Sequence, residues 1–164
     1  MKTVILVRHA KSSWDDHTLT DFDRPLNDRG KKDAPEMGER LVKRKIKIDL
    51  FVSSSAKRAK KTAQAFAEAF GLKKDEVVLN EALYLASPEV FYNVITELPE
   101  SVKSVVVFSH NPGLTDFVNS LSDTRVDNVP TCGMYAVTFK GNWQHFREAT
   151  KEFLFFDYPK NIFD

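Results

Sequence analysis

The chain of 164 residues is 42% hydrophobic and 29% charged, a balance that suits one globular domain with a sizeable core and excludes a globally disordered or collagen-like chain. Lys plus Arg number 24 and Asp plus Glu 23, so no strong overall field draws nucleic acid or anionic lipid, and any anion must be held locally. No apolar run approaches the roughly 20 residues that span a bilayer, the opening run Val4-Ile5-Leu6-Val7 is too short for a secretory core, and lone Cys132 can form neither an internal disulfide nor a cysteine-rich zinc site; the expected compartment is the cytoplasm.

Residues 3–7 form a continuous β-branched apolar run, the pattern of a buried parallel strand. A long polar stretch over 11–29 leads to a helix expected over 31–43, with Ala34, Met37 and Leu41 at helical spacing. A short strand over 50–52 follows, then a helix whose face carries Ala59, Ala63, Phe66, Ala67 and Phe70 and which ends at Gly71, a suitable C′ residue. Residues 77–79 predict a third strand, and Phe91, Val94, Ile95 and Leu98 a helix that stops before Pro99. The clearest strand is 105–108, after which Asn111-Pro112-Gly113 opens a helix with Leu114, Phe117, Val118 and Leu121 on one face. A strand over 134–139 meets the turn signal Lys140-Gly141-Asn142, which predicts a hairpin into 143–146 and then the aromatic run 153–156. Strands alternating with helices predict a three-layer α/β/α sandwich on a mostly parallel sheet, its ligand site beyond the carboxyl ends of the strands. The 13 phenylalanines fit core filling between these layers, and the tail 158–164 could pack on a partner subunit, giving a monomer or weak dimer.

At that edge the first strand delivers Arg8 and His9, and the strand over 105–108 delivers His110 about a hundred residues later. Arg58 falls in the first turn of the helix after the second strand, where the helix dipole disfavours a cation unless an anion is bound beside it. Two histidines and two arginines at one sheet edge are the makings of an oxyanion site.

This arrangement resembles the histidine phosphatase superfamily, also called phosphoglycerate mutase-like, whose mark is Arg-His-Gly or Arg-His-Ala after the first strand. The likeness runs through Leu6-Val7-Arg8-His9-Ala10-Lys11-Ser12, Arg24-Pro25-Leu26-Asn27-Asp28-Arg29-Gly30, Ser53-Ser54-Ser55-Ala56-Lys57-Arg58-Ala59 and Phe108-Ser109-His110-Asn111-Pro112. Length, the start Arg8-His9-Ala10-Lys11-Ser12-Ser13-Trp14, the segment Asp23-Arg24-Pro25-Leu26-Asn27 and the closing Tyr158-Pro159-Lys160 are most similar to the small SixA-type phosphohistidine phosphatases. The resemblance implies that His9 attacks phosphorus and carries a phosphohistidine intermediate, that Arg8 and Arg58 clamp the phosphoryl oxygens, and that His110 donates to the same group. Adjacent cations would keep the His9 imidazole neutral, with a backbone carbonyl holding its second nitrogen. Fixed cations replace a metal, so neither metal nor cofactor is expected.

Glu81, after the third strand, matches the stretch where larger relatives carry a general acid, and reads equally as an exposed loop carboxylate. Ser12, Ser13 and Asn27 are candidates to hydrogen-bond the phosphate, or serve as turn formers. Arg24 and Arg29 read as ion-pair partners, His17 as an exposed loop residue, His145 as a surface strand residue, and Trp14 as a pocket wall or loop anchor. The expected activity is removal of phosphate from phosphohistidine on a phosphorelay or phosphotransferase protein. A metabolite-directed phosphomonoesterase acting on a small phosphate ester is the alternative, and a phospho-ligand binding module without turnover lies further off. No nucleic-acid or membrane partner is expected.

Overall fold

The computed structural model describes residues 1–161. Six strands, β1 (Lys2–Arg8), β2 (Leu50–Ser53), β3 (Val78–Leu79), β4 (Ser104–Ser109), β5 (Met134–Phe139) and β6 (Glu152–Asp157), form one sheet in the order β3-β2-β4-β1-β5-β6. The pairs β2–β3, β2–β4 and β1–β4 are parallel, whereas β5 runs against both β1 and β6. The first four strands therefore point their carboxyl ends the same way.

Strand alternation sorts the helices onto the two faces. Ile5, Val7, Phe51, Val106 and Phe108 pack against Ala34, Met37 and Leu41 of α1 (Asp28–Lys43) and Ala63 and Phe66 of α2 (Lys57–Ala69). Val4, Leu6, Val52, Val105 and Val107 meet Phe91 and Ile95 of α3 (Pro88–Thr96) and Leu114 and Phe117 of α4 (Gly113–Val118). The result is the expected three-layer α/β/α sandwich on a mostly parallel sheet. Phe66, Phe91, Phe108 and Phe117 are fully buried between sheet and helices, each contributing roughly 1.5–3 kcal/mol of burial.

Several expected boundaries shift for identifiable reasons. α1 starts at Asp28 because Asn27 caps it, its side chain accepting from the Gly30 N–H at 2.9 Å. α4 ends at Val118 because the Asn119 side chain bonds both the N–H and the C=O of Val126, closing a loop in place of another helical turn. The expected strand over 143–146 is instead a 3₁₀ turn at Trp143–His145. Trp143 buries its ring, donates its indole N–H to the Val102 carbonyl at 2.7 Å and its backbone N–H to Glu100 at 2.8 Å, and so leaves the sheet. The strand that pairs with β5 begins nine residues later, at Glu152, and His145 sits on an exposed turn.

The tail, expected to offer a partner contact, is tied over 158–161 to its own chain. Arg40 on α1 pairs with buried Asp157 and donates to the carbonyls of Tyr158, Pro159 and Asn161, so these residues pack on their own chain. The rest of that expected contact, 162–164, lies outside the described residues. Among the described residues no helix is long and apolar enough to cross a membrane.

Gly113 fixes how the β3–α3 connection meets α4, since a Cβ there would lie 1.7 Å from the Ala86 carbonyl oxygen. Backbone cannot rotate away as a side chain can. Gly113→Ala is expected to lower stability by about 2–3 kcal/mol, measured as a fall in the urea unfolding midpoint.

Candidate active site

The strand ends assemble the site. β1 and β4 pair in register from Thr3 with Ser104 to Arg8 with Ser109, and the His9 N–H continues the ladder to the Ser109 carbonyl at 3.1 Å. His9 and His110 thus leave adjacent strands together, their ring centroids 5.2 Å apart. From the other side Cys132, in the left-handed region at φ 61°, donates its N–H to the carbonyls of Arg8 and His9. Burial pushes its thiol pKa up.

His9 is held in one tautomer. Its Nδ1 lies 2.7 Å from the carbonyl oxygen of Ala10 and donates to it, so the lone pair belongs to Nε2, which accepts from Arg58 Nε at 3.4 Å. The Ala10 backbone is itself pinned, its N–H donating to Thr62 Oγ1 at 2.9 Å. Burial drives the His9 pKa down to about 3; the Ala10 bond works against this, and the charges of Arg58, Arg8 and Arg24 add to it. His110 is likewise brought down to about 3 by burial, then by His9 and Arg58. Its Nε2 lies 2.7 Å from Ser54 Oγ, and its buried Nδ1 has no hydrogen-bond partner.

The expected cations converge. Arg58, from the first turn of α2, is buried beside His9, and Arg8 donates one guanidinium nitrogen to the Val129 carbonyl at 3.2 Å while its buried Nε stays unpaired. Arg8, His9, Arg58 and His110 line one cleft of about 460 Å³ with Lys11, Ser12, Trp14, Asp21, Arg24, Leu85, Asn111 and Thr131. Of the two arginines expected as ion-pair partners, Arg29 pairs with Asp33 at 3.4 Å, and Arg24 both pairs with Asp21 at 3.2 Å and faces the cleft.

Two cleft-side groups escape sequence reasoning. Asp21, in a 3₁₀ turn of the long polar loop, takes Arg58 on its carbonyl at 2.7 Å and on Oδ2 at 3.0 Å. Tyr84, just past the stretch containing Glu81, donates to the same Oδ2 at 2.5 Å. Partial burial raises the Asp21 pKa, but the Tyr84 hydrogen bond and the Arg58 charge outweigh it and hold the carboxyl at about 2. The run Asp15, Asp16, Asp21, Asp23 in the loop offers no signal for which aspartate turns inward.

Other expected residues lie elsewhere. Glu81 is exposed on the 3₁₀ turn Glu81–Leu83 and does not line the cleft, because the capped turn at Asn80 directs the chain away before Tyr84 returns. Asn27 is spent on the α1 cap and Ser13 accepts from the Asp15 N–H at 3.1 Å, both outside the cleft. Ser12 does line it, accepting from Arg24 at 2.9 Å. Trp14 does both things allowed to it, walling the cleft and stacking on Arg24 at 3.4 Å. Among the described residues no group of three or more His, Cys, Asp or Glu could hold a metal ion.

The model of the histidine phosphatase superfamily (branch 1) matches residues 4–84. An uncharacterized protein of Mycobacterium leprae is 29% identical over 167 residues, covering 94% of this chain and all of that one. The crystal structure of a SixA from Agrobacterium tumefaciens superposes with a TM-score of 0.80 at 28% identity, covering 96% of this chain and 98% of the other. The structure of a protein histidine phosphatase SixA complexed with tungstate shares the fold at a TM-score of 0.83 and 22% identity, covering 98% and 99%. Sequence over the first half and fold over nearly the whole length agree, and the chain belongs to the histidine phosphatase superfamily, as a phosphatase of the SixA type.

Proposed function

We propose that this phosphatase hydrolyses phosphohistidine on a partner protein, with His9 as nucleophile. The observation that carries the reading is the fixed tautomer of His9: a neutral ring whose Nε2 lone pair faces the guanidinium of Arg58 and whose Nδ1 proton is held by Ala10. A nucleophilic nitrogen must keep its lone pair free of a proton at working pH, and burial among cations does that.

In this reading His9 Nε2 attacks phosphorus in line, the P–N bond to the substrate imidazole breaks, and the departing ring takes a proton from solvent. Water then attacks the His9 phosphoramidate, the bond to Nε2 breaks, and inorganic phosphate leaves. Arg8 and Arg58 hold the equatorial oxygens with charge-assisted hydrogen bonds. In this reading the Ser54 hydroxyl, which accepts from the Ala56 N–H at 3.2 Å, donates to His110 Nε2, and the neutral His110 ring donates at Nδ1. That unpaired donor, with the unpaired Arg8 Nε, suits a site built for oxygen atoms supplied by a ligand.

A departing imidazole is a better leaving group than an alkoxide and makes less demand on an enzymic acid. Among the described residues the cleft presents no carboxylic acid in its protonated form, since Asp21 is held at about 2 and Glu81 stands outside it. This favours a phosphoramidate over an alkyl phosphate ester. Asp21 acts as counter-ion: it occupies the fork of Arg58 until phosphate arrives, sparing Arg8 and Arg58 an uncompensated repulsion.

Three measurements follow from this chemistry. His9→Ala is expected to reduce phosphate release from a phosphohistidine protein by at least about a thousandfold, and acid-quenched wild-type enzyme should carry label from the substrate on His9; unchanged turnover would remove it as nucleophile. Because both site histidines stay neutral in the folded chain down to about pH 3 while an unfolded chain protonates them near 6.5, the unfolded state binds more protons between those values, and stability falls as pH drops through that window. The urea midpoint should fall between pH 7 and pH 5, less so in His9→Gln, and the His9 and His110 ring signals should not titrate over that range by NMR. Asp21→Asn, which removes the competing carboxylate from Arg58, is expected to lower the inhibition constant of inorganic phosphate by about fivefold, read as competitive inhibition.

A further inference from the structure

The cleft has an apolar lip that the phosphate chemistry does not use. Trp14 and Leu85 both line it, yet Trp14 is 68% and Leu85 56% exposed. They belong to one continuous edge: Trp14 stacks on Arg24, Arg24 pairs with Asp21, Asp21 accepts from Tyr84, and Leu85 follows Tyr84.

Leu85 is also held at φ 51°, in the left-handed region that side chains other than Gly, Asn and Asp seldom enter. The other non-glycine residues there have a local reason. Lys45 follows the C-cap of α1, and Cys132 is buried with its N–H on the carbonyls of Arg8 and His9. Leu85 follows Tyr84, the C-cap of the 3₁₀ turn Glu81–Leu83, and what sets it apart is that its side chain remains largely exposed beside the cleft. Its backbone is fixed from both sides: Ser109 Oγ donates to the Leu83 carbonyl at 2.6 Å, Tyr84 reaches Asp21, and the Ala86 carbonyl rests against Gly113. A loop fixed this firmly displays an isobutyl group to water, at a cost in backbone strain and hydration.

We infer that Leu85 and Trp14 form a docking lip for the polypeptide that carries the phosphohistidine, and that they select a carrier with an apolar side chain beside the modified residue. The inference rests on the proposed reading of the site. With its phosphoryl group at His9, a substrate lies in the cleft that this edge lines. A small carboxylate carrier would set its charge against indole and isobutyl and lose its hydration without replacement. A polypeptide with an apolar neighbour buries the lip instead, while its polar groups face Lys11, Asn111 and Thr131 on the rest of the wall.

The test compares kcat/KM on free phosphohistidine, on a phosphohistidine peptide with leucine beside the modified residue, and on the same peptide with serine there. Wild-type enzyme should prefer the leucine peptide by about fivefold or more. Leu85→Gly should erase that preference, with a larger loss on the leucine peptide than on free phosphohistidine, and melt at the same or a higher temperature, since glycine adopts this backbone freely; Leu85→Met should keep the preference. Equal rates on the two peptides in wild type, or an equal loss on free phosphohistidine in Leu85→Gly, would overturn the docking role. If wild type leaves all three substrates intact, the phosphohistidine reading fails beneath it.

Discussion

Where the β1–β4 ladder runs out, the His9 N–H still finds the Ser109 carbonyl at 3.1 Å, and the chain leaves both strands with an imidazole at the same depth. The remainder of the site depends on that register. A slip by one residue would turn Val4 and Leu6 toward α1 and α2 and Ile5 and Val7 toward α3 and α4, exchanging the two buried faces at once. The apolar alternation that builds the core therefore also sets the spacing of the two histidines. Cys132 adds a second restraint, bridging the carbonyls of Arg8 and His9 from the β5 side.

Around this frame the fold holds a neutral nitrogen among arginines. Burial does most of this by disfavouring the imidazolium, and the neighbouring guanidinium groups add to it. The same crowding depresses Arg8, first by burial and then by Arg58, and leaves its Nε and His110 Nδ1 buried without partners. Such groups destabilise a folded chain unless something else satisfies them. Asp21 offsets part of the charge, linking Arg58, Arg24 and Tyr84 through one carboxylate. The free protein thus carries its own anion where the oxyanion of a substrate would compete for the same fork.

The division of labour follows the architecture. Arg8, His9 and His110 sit at strand ends and Arg58 in the first turn of α2, and the other residues lining the cleft sit on loops. Even these loops are restrained: Gly113 admits the Ala86 carbonyl, and the Gly30 Cα lies so near Lys11 that a Cβ would approach its carbonyl oxygen to 2.2 Å. Both contacts fix connections that border the cleft.

The layers, and the side chains that gather at one sheet edge, are legible in the chain. Continuous apolar runs and 3.6-residue stripes report burial directly, and Arg8, His9, Arg58 and His110 could be read because each adjoins a strand end or a helix start whose position in an α/β fold is known in advance. Local pattern misplaced Trp143 and the residues after it, since whether a turn feeds a strand or a buried indole depends on a cavity built by Val102, Phe139 and distant neighbours. It nominated Glu81 and passed over Tyr84, three residues on, because the difference lies in which way a capped turn sends the chain. The folded backbone sets the meeting of Asp21 with Arg58 across 37 residues and with Tyr84 across 63. It also decided that Asn27 would cap a helix, and that Leu85 would stand exposed at the cleft. These are contacts between loops, set by the path of the backbone through space, and no periodicity in the chain encodes that path.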